Sequence, residues 1–238
     1  ASHEALDRDD RVARVDSLLG LRVKQGDILI NGNGLNASAQ QVLDLVARSV
    51  KLDAAINTKD LGITAGANQW DYASRRVTGA AAATGAAPAY AIDSSALGGM
   101  YAGRIRILAT EAGVGVRMLG DAAATADDFT LNAAGKVEIA SKVSAQRDLA
   151  VSTTASNTDA LTLNNASLTA QRDASLNSIL LATDDLVQRT GDLACVARNV
   201  GQSFLVIVEF LQRLHGQEDI VFLETINRGR VVQQHVGV

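Results

Sequence analysis

The chain is poor in cysteine, in aromatic residues and in long apolar runs, and each shortage argues against a class of protein. Its one cysteine, Cys195, excludes an internal disulfide and a multi-cysteine metal site. Aromatic residues make up 3% of the chain, which disfavours a broad sandwich or barrel with a core of large rings. The longest strongly apolar run, at 204–208, is far shorter than the ~20 residues of a transmembrane helix. We therefore expect no membrane span.

The chain also has no large excess of either positive or negative charge. The net charge is −4 with acids and bases interspersed, so no field favours nucleic acid, and we expect no nucleic-acid partner. The three histidines are isolated from one another in the sequence and predict no metal site. Residues 1–21 are rich in charge and lack the apolar core of a signal peptide, so we interpret them as a charged N-terminal arm.

What the chain does contain is alanine, at 40 positions, and many short apolar runs bounded by Gly, Asn, Asp or Ser. In RIRILAT, Ile105 and Ile107 alternate with Arg104 and Arg106, the pattern of a half-buried strand. Such runs recur about every ten residues, which predicts an all-β fold. The segment SAQRDLAV at 144–151 recurs as TAQRDASL at 169–176. An echo at this distance favours stacked coils, so we predict a parallel β-helix over residues 22–199.

Two other segments and a set of five glycines complete this prediction. The alternation in RSVKLDAAI predicts one half-buried strand over 48–56, and GAAAATGAAPA predicts an exposed loop over 79–89. A β-helix turns a corner every few residues, and glycine tolerates the positive φ that corners often need. We therefore interpret five glycines as corner residues: Gly98, Gly99, Gly103, Gly113 and Gly115.

Four motifs, in this order, resemble the secretion domain of filamentous-haemagglutinin-like exoproteins, the adhesins and contact-dependent growth inhibition proteins of two-partner secretion. They are INGNGLNAS (30–38), LDLVARSVKLDAAI (43–56), GITAGANQWDY (62–72) and LGGMYAGRIRILATEAGVGVR (97–117), and the resemblance covers about residues 22–165. The positions that carry it are Gly32, Gly34, Leu35, Asn36, Gly66, Asn68, Gln69, Gly98, Gly99, Tyr101, Gly103, Glu111, Gly113 and Gly115.

The resemblance implies a right-handed parallel β-helix without catalytic residues, cofactor or metal. It also implies an outer-membrane transporter as partner, a host receptor or glycan as a further partner, and a final place outside a Gram-negative cell once a signal peptide has directed export. One departure is that the family's domain usually begins with an Asn-Pro-Asn motif, whereas the only proline here is Pro88. We therefore expect a secretion domain that lacks its first coils.

Two alternative functions stay open at this stage. The first is a dinucleotide site, because a short strand is followed by Gly32-x-Gly34-x-x-Ala37 and Asp53 lies 19 positions beyond Gly34. This alternative requires a helix over 38–49. The second is a β-helical carbohydrate-active enzyme, for which the acid pair Asp127-Asp128, the pair Asp184-Asp185 and Trp70 are the candidates.

The last 39 residues differ in composition and pattern, since alanine does not occur after Ala197. In SFLVIVEFLQRLHG the apolar positions fit one broad face of a helix, which predicts a helix over 204–215. DIVFLETI and RVVQQHV flank a short NRG segment and predict a hairpin. We interpret residues 200–238 as a C-terminal cap over the last coil.

Overall fold

A computed structural model describes residues 19–156 and 160–178, and the backbone of six later strands. The described residues form 25 β-strands and contain no helix, and therefore no helix that could span a membrane. The strands are β1 Gly20–Val23, β2 Asp27–Ile30, β3 Leu35–Asn36, β4 Leu43–Ala47, β5 Ser49–Leu52, β6 Ile56–Ala65, β7 Asn68–Asp71, β8 Arg76–Ala80, β9 Tyr90–Ser94, β10 Met100–Ala109, β11 Gly115–Met118, β12 Ala122–Ala124, β13 Phe129–Ala133, β14 Val137–Ile139, β15 Lys142–Ala145, β16 Leu149–Thr153, β17 Leu161–Leu163, β18 Ser167–Ala170, β19 Ala174–Ser178, β20 Leu181–Thr183, β21 Leu186–Arg189, β22 Leu193–Ala197, β23 Val206–Phe210, β24 Val221–Asn227 and β25 Arg230–Val236.

Most of these strands stack in parallel as the coils of a β-helix with three faces, which confirms the predicted fold class. Face 1 is a seven-stranded sheet in the order β2-β5-β9-β11-β14-β17-β20. Faces 2 and 3 are the two halves of one bent sheet, joined by the long strands β6 and β10. Face 2 continues through β12, β15, β18 and β21, and face 3 through β13, β16, β19 and β22. The 25-residue echo is confirmed as a coil repeat, because Val143 to Ala145 pair with Leu168 to Ala170 in register.

The core consists of columns of side chains that stack from coil to coil. On face 3, one such column consists of Ile63, Ile107, Leu131, Val151 and Leu176, and each is at most 3% exposed. The alternation in RIRILAT is confirmed, since the two isoleucines are buried and the arginines face outward. Burial contributes ~25 cal/mol per Å² of apolar surface, so these columns stabilise the stack along its whole length.

Two sequence predictions about local structure need correction. The strand predicted over 48–56 ends at Leu52, and Ile56 begins the next face as the first residue of β6. The inward alternation continues round this corner through the buried Ala54, so the sequence pattern does not reveal the break. Gly115 lies in a strand rather than between strands, whereas Gly103 lies at a corner, as predicted, but inside the continuous strand β10. Gly103 lies where β10 passes from face 2 to face 3, and Gly115 begins β11 beside a β-bulge.

The other corner glycines lie in turns, as predicted. Gly113 has a φ of 78° in the turn between β10 and β11, a conformation that glycine adopts without strain. Gly98 and Gly99 lie in the turn between β9 and β10. The loop predicted over 79–89 is confirmed from residue 81 onward, and it is largely exposed.

The tail forms a separate antiparallel sheet in the order β23-β24-β25. The hairpin is confirmed, since β24 pairs with β25 from Val221 opposite Val236 to Asn227 opposite Arg230. The predicted helix is wrong at Val206–Phe210, which form β23 and pair with β24, while the rest of 204–215 lies outside the described residues. The run Val-Ile-Val consists of β-branched residues, which favour strands, and β24 hydrogen-bonds to the backbone of this segment. Strand formation therefore prevails over the helical pattern. The division of the chain at residues 21 and 199 stays a prediction.

Candidate functional site

A β-hairpin leaves the β-helix between its second and third coils, and we call residues 68–80 the hairpin. Its strands β7 and β8 pair antiparallel, and β1 adds to the far side of β7. Because β1 precedes the first coil, this sheet connects the beginning of the described chain to a later insertion. The outer edge of β8 has no strand partner among the described residues.

The tip of the hairpin is held against face 3 by a two-bond ion pair. Arg75 Nε lies 2.7 Å from Asp44 Oδ2, and one terminal nitrogen of Arg75 lies 2.8 Å from Asp44 Oδ1. The same nitrogen lies 3.4 Å from Asp60 Oδ1. Arg75 has a φ of 53°, which is unusual for a residue with a side chain. Bonds from the backbone N–H and hydroxyl of Ser74 to Asp71 brace the turn and lower the pKa of the Asp71 carboxyl.

The base of the hairpin is fixed by buried contacts. Asn68 is fully buried, and its amide donates to the carbonyl of Gly66 at 2.9 Å and to Thr110 Oγ1 at 3.4 Å. A Cβ on Gly66 would lie 2.3 Å from Thr110 Oγ1, and φ at Gly66 is 119°, so only glycine fits without strain. Trp70 is 4% exposed and lies edge-on to Tyr72. Tip and base together hold the hairpin in one position on the β-helix.

A second ion pair secures the loop that follows the hairpin. Arg48 is 5% exposed and pairs with Glu111 through two bonds of 2.8 and 3.1 Å. Its remaining terminal nitrogen donates to the carbonyls of Thr84 at 2.8 Å and Ala86 at 3.0 Å. The hydrogen bonds from Arg48 hold the pKa of the Glu111 carboxyl below its usual value. One guanidinium therefore joins three segments that are remote in sequence.

Charged residues of alternating sign line the corner between faces 2 and 3, and we call this set the corner ladder. From one coil to the next, Asp60 pairs with Arg104, Arg104 with Asp127, and Asp127 with Arg147. The next contacts are a backbone bond from Asp148 to the Asp128 carboxylate at 3.1 Å and a pair between Arg172 and Asp148. Its members are Asp60, Arg104, Asp127, Asp128, Arg147, Asp148 and Arg172.

The corner ladder is suited to fixing register rather than to adding much stability. Its arginine side chains are 43–51% exposed, and exposed pairs contribute only ~0–1 kcal/mol each. A slip in the pairing of two coils would move each arginine away from its aspartate on the neighbouring coil, so the pairs disfavour a misaligned stack. The bond from Arg104 lowers the pKa of Asp127, and the bond from Arg172 lowers that of Asp148.

The remaining residues of the resemblance lie apart, on several coils. Gly32 and Gly34 have φ values of 61° and 77°, and a Cβ on Gly34 would lie 2.2 Å from the carbonyl oxygen of Ala55. Leu35 and Asn36 form β3. Gln69 bonds the carbonyl of Ala80 within the hairpin, and Tyr101 is 40% exposed beside Gly99. These residues do not converge on one catalytic centre, and most of them shape turns and close contacts between coils.

The geometry disagrees with both alternative functions. A dinucleotide site needs a helix after the glycine turn, but Leu43–Ala47 form strand β4. Asp53, the candidate ribose ligand, pairs with Lys51 at 3.1 Å. A carbohydrate-active enzyme needs available carboxylates and an aromatic platform, but Asp127 is paired with arginines and Trp70 is buried. Asp184 and Asp185 lie outside the described residues. The described residues contain no group of three or more His, Cys, Asp or Glu placed to hold a metal ion.

Comparison with known proteins points to the same family as the sequence motifs. The TPS secretion domain family matches residues 7–139. Toxin CdiA of Yersinia pestis is 43% identical over 136 residues, and filamentous hemagglutinin of Bordetella pertussis is 46% identical over 110 residues. These matches cover 57% and 43% of the chain but only 4% and 3% of the two relatives. A crystal structure of the filamentous hemagglutinin secretion domain matches with a TM-score of 0.52 and 31% identity, covering 72% of this chain and 54% of that one. Sequence, fold and comparisons agree that the chain belongs to the TPS secretion domain family.

Proposed function

We propose that the chain is a non-enzymatic segment that directs export of a haemagglutinin-like exoprotein and then forms the β-helical base of its adhesive stem. The single observation that carries this proposal is the β-helix itself, in a chain of the TPS secretion domain family. The partner is an outer-membrane two-partner-secretion transporter. The destination is the medium or the outer surface of a Gram-negative cell, where other parts of the exoprotein contact a host receptor or glycan.

The pairing of strands supports folding that begins at the second and third coils and proceeds toward the C-terminus. Strands β6 and β10 have ten residues each and pair from Ile56 opposite Met100 to Ala65 opposite Ala109, across two faces. The following strands β11 to β19 have three to five residues each. The longest pairing forms a template on which each short coil adds, and stacking on a template favours one direction of growth.

The corner ladder supports the correct register during this growth. At this corner, one charged side chain of each new coil pairs with an opposite charge on the coil before it. Asp127 pairs with Arg104 in this way, and Arg147 pairs with Asp127. A misaligned coil leaves like or unpaired charges at the corner and is disfavoured. Chain that folds outside the membrane cannot slide back, so stacking gives export a direction.

The hairpin is the surface that we propose for recognition by the transporter. It projects from the β-helix in a fixed position, and the described residues leave the outer edge of β8 unpaired. An open strand edge accepts an added strand from a partner through backbone hydrogen bonds. The pair between Arg75 and Asp44 keeps this edge correctly presented.

The test is a secretion assay with the chain fused to a signal peptide and produced with or without its cognate transporter. We expect the chain in the medium only when the transporter is present. Arg75→Gln should reduce secretion, whereas Arg117→Gln, which removes a similar two-bond ion pair with Asp93 on face 1, should leave secretion normal. Transporter-independent appearance in the medium would refute the proposed export function. Equal secretion of the two variants would refute the assignment of the hairpin.

A further inference from the structure

A cleft of about 380 Å³ lies between the hairpin and face 3 of the β-helix. The hairpin contributes Arg76 and Val77, and face 3 contributes Arg106, Thr130 and Asn132. This volume falls in the range of small-molecule sites, ~300–1,000 Å³. The ion pair between Arg75 and Asp44, which both line the cleft, fixes the position of the hairpin beside it.

Arg106 has a hydrogen-bond donor that the described residues do not use. One terminal nitrogen of Arg106 donates to Asp60 Oδ1 at 3.0 Å, but its Nε is buried and has no partner among the described residues. A buried N–H without an acceptor costs ~1–3 kcal/mol and often marks the place of a water or an ion. The charged residues that line the cleft are Asp44, Arg75, Arg76 and Arg106, so positive charge exceeds negative charge there.

The other free polar groups of the cleft are donors as well. Arg76 is exposed and forms no ion pair with another described residue. Asn132 accepts a bond from the Ser152 hydroxyl through its carbonyl oxygen, and its amide N–H groups have no acceptor in the described part of the chain. Thr130 adds a hydroxyl on the coil next to Arg106, since the two residues lie opposite each other in register. A donor-rich cleft of this kind fits a ligand that is rich in acceptors and negatively charged.

We propose that the cleft binds a sugar that carries a carboxylate. The guanidinium groups of Arg76 and Arg106 bind the carboxylate, because arginine matches its two oxygens in plane. Thr130 and Asn132 bind ring hydroxyls, and Val77 contributes a small apolar contact to the ring. Binding of this kind adds a ligand site to the secretion function and does not depend on it.

Calorimetric titration of the full chain with glucuronate, with glucose as the neutral ring of the same shape, tests this site. We expect saturable binding of glucuronate and none of glucose. Arg76→Gln should weaken glucuronate binding about tenfold or more, the effect of losing one charged hydrogen bond. Arg106→Gln should do the same, and Arg172→Gln, outside the cleft, should leave it unchanged.

Three results would overturn the inference. The first is equal binding of glucose and glucuronate, or no saturable binding of either. The second is glucuronate binding that survives Arg76→Gln. This position is exposed, so the variant should keep the fold, which a melting curve checks, even if Arg106→Gln perturbs the fold by removing the pair between Arg106 and Asp60. Inorganic sulfate serves as a third titrant, and binding as tight as that of glucuronate would show a simple anion site and refute the assignment to a sugar.

Discussion

Gly98 provides a sharp test of coil packing, because it leaves no room for a side chain. A Cβ built at this position would lie 2.0 Å from the carbonyl oxygen of Leu52 and 2.9 Å from its Cβ, both on the preceding coil. That carbonyl also accepts a bond of 2.9 Å from the N–H of Ser95. Gly98→Ala must therefore push two stacked coils apart and weaken the bond between them.

We expect Gly98→Ala to lower the free energy of unfolding by about 2–3 kcal/mol, toward the upper end of typical overpacking costs. For a chain of this length the loss corresponds to a decrease in melting temperature of about 4–12 °C. The matched control is Gly79→Ala in β8, where the nearest atom to a Cβ, Gln69 Nε2, lies at an ordinary 3.6 Å. Circular dichroism melts of both variants measure the difference. A Gly98→Ala variant that melts like the wild type would refute this account of the stack.

Three further predictions concern the core, the loop and the charges. Leu131→Ala removes a fully buried side chain between Ile107 and Val151. It should lower the free energy of unfolding, measured by urea titration, by ~2–5 kcal/mol, whereas a surface substitution usually changes it by less than ~0.5 kcal/mol. Arg48→Met leaves the carbonyls of loop 81–89 without their donor, so limited proteolysis should cleave this loop faster; unchanged cleavage would contradict its role. The lowered pKa values of Glu111 and Asp127 mean that the folded state binds fewer protons than the unfolded state in acid. The stability that these two carboxylates contribute should be fully present above the ordinary carboxyl pKa of ~4 and be lost as the pH falls through their lower folded-state pKa values, and a urea midpoint equal at pH 5 and pH 2.5 would contradict this.

Much of the fold follows from sequence, because a β-helix repeats one local pattern. The alternation around Ile105 and Ile107 gives the inward and outward sides of β10, and the echo of 144–151 gives the coil repeat. The corners are harder to locate, since the chain can turn without interrupting the alternation, as it does after Leu52. At Val206–Phe210 the apolar pattern fits a helix, but pairing with β24 decides for a strand.

The site was less accessible to sequence analysis, because its contacts join distant positions. Arg48 and Glu111 lie 63 positions apart, and Arg75 and Asp44 lie 31 apart. No local motif connects such pairs before the coils are in register. The corner ladder has one sequence signal, the repeated Gln-Arg-Asp, which places Arg147 and Arg172 on successive coils. Several glycines of the resemblance are explained only by the structure, where Gly34, Gly66 and Gly98 meet atoms of a neighbouring coil.

Pulse-labelling hydrogen exchange during refolding tests most directly the claim that coils add in order on a template. We expect the backbone amides of β6 and β10 to become protected first, followed by those of β13, β16 and β19 in that order. Simultaneous protection of all these strands, or protection of β16 and β19 before β10, would contradict folding by successive stacking.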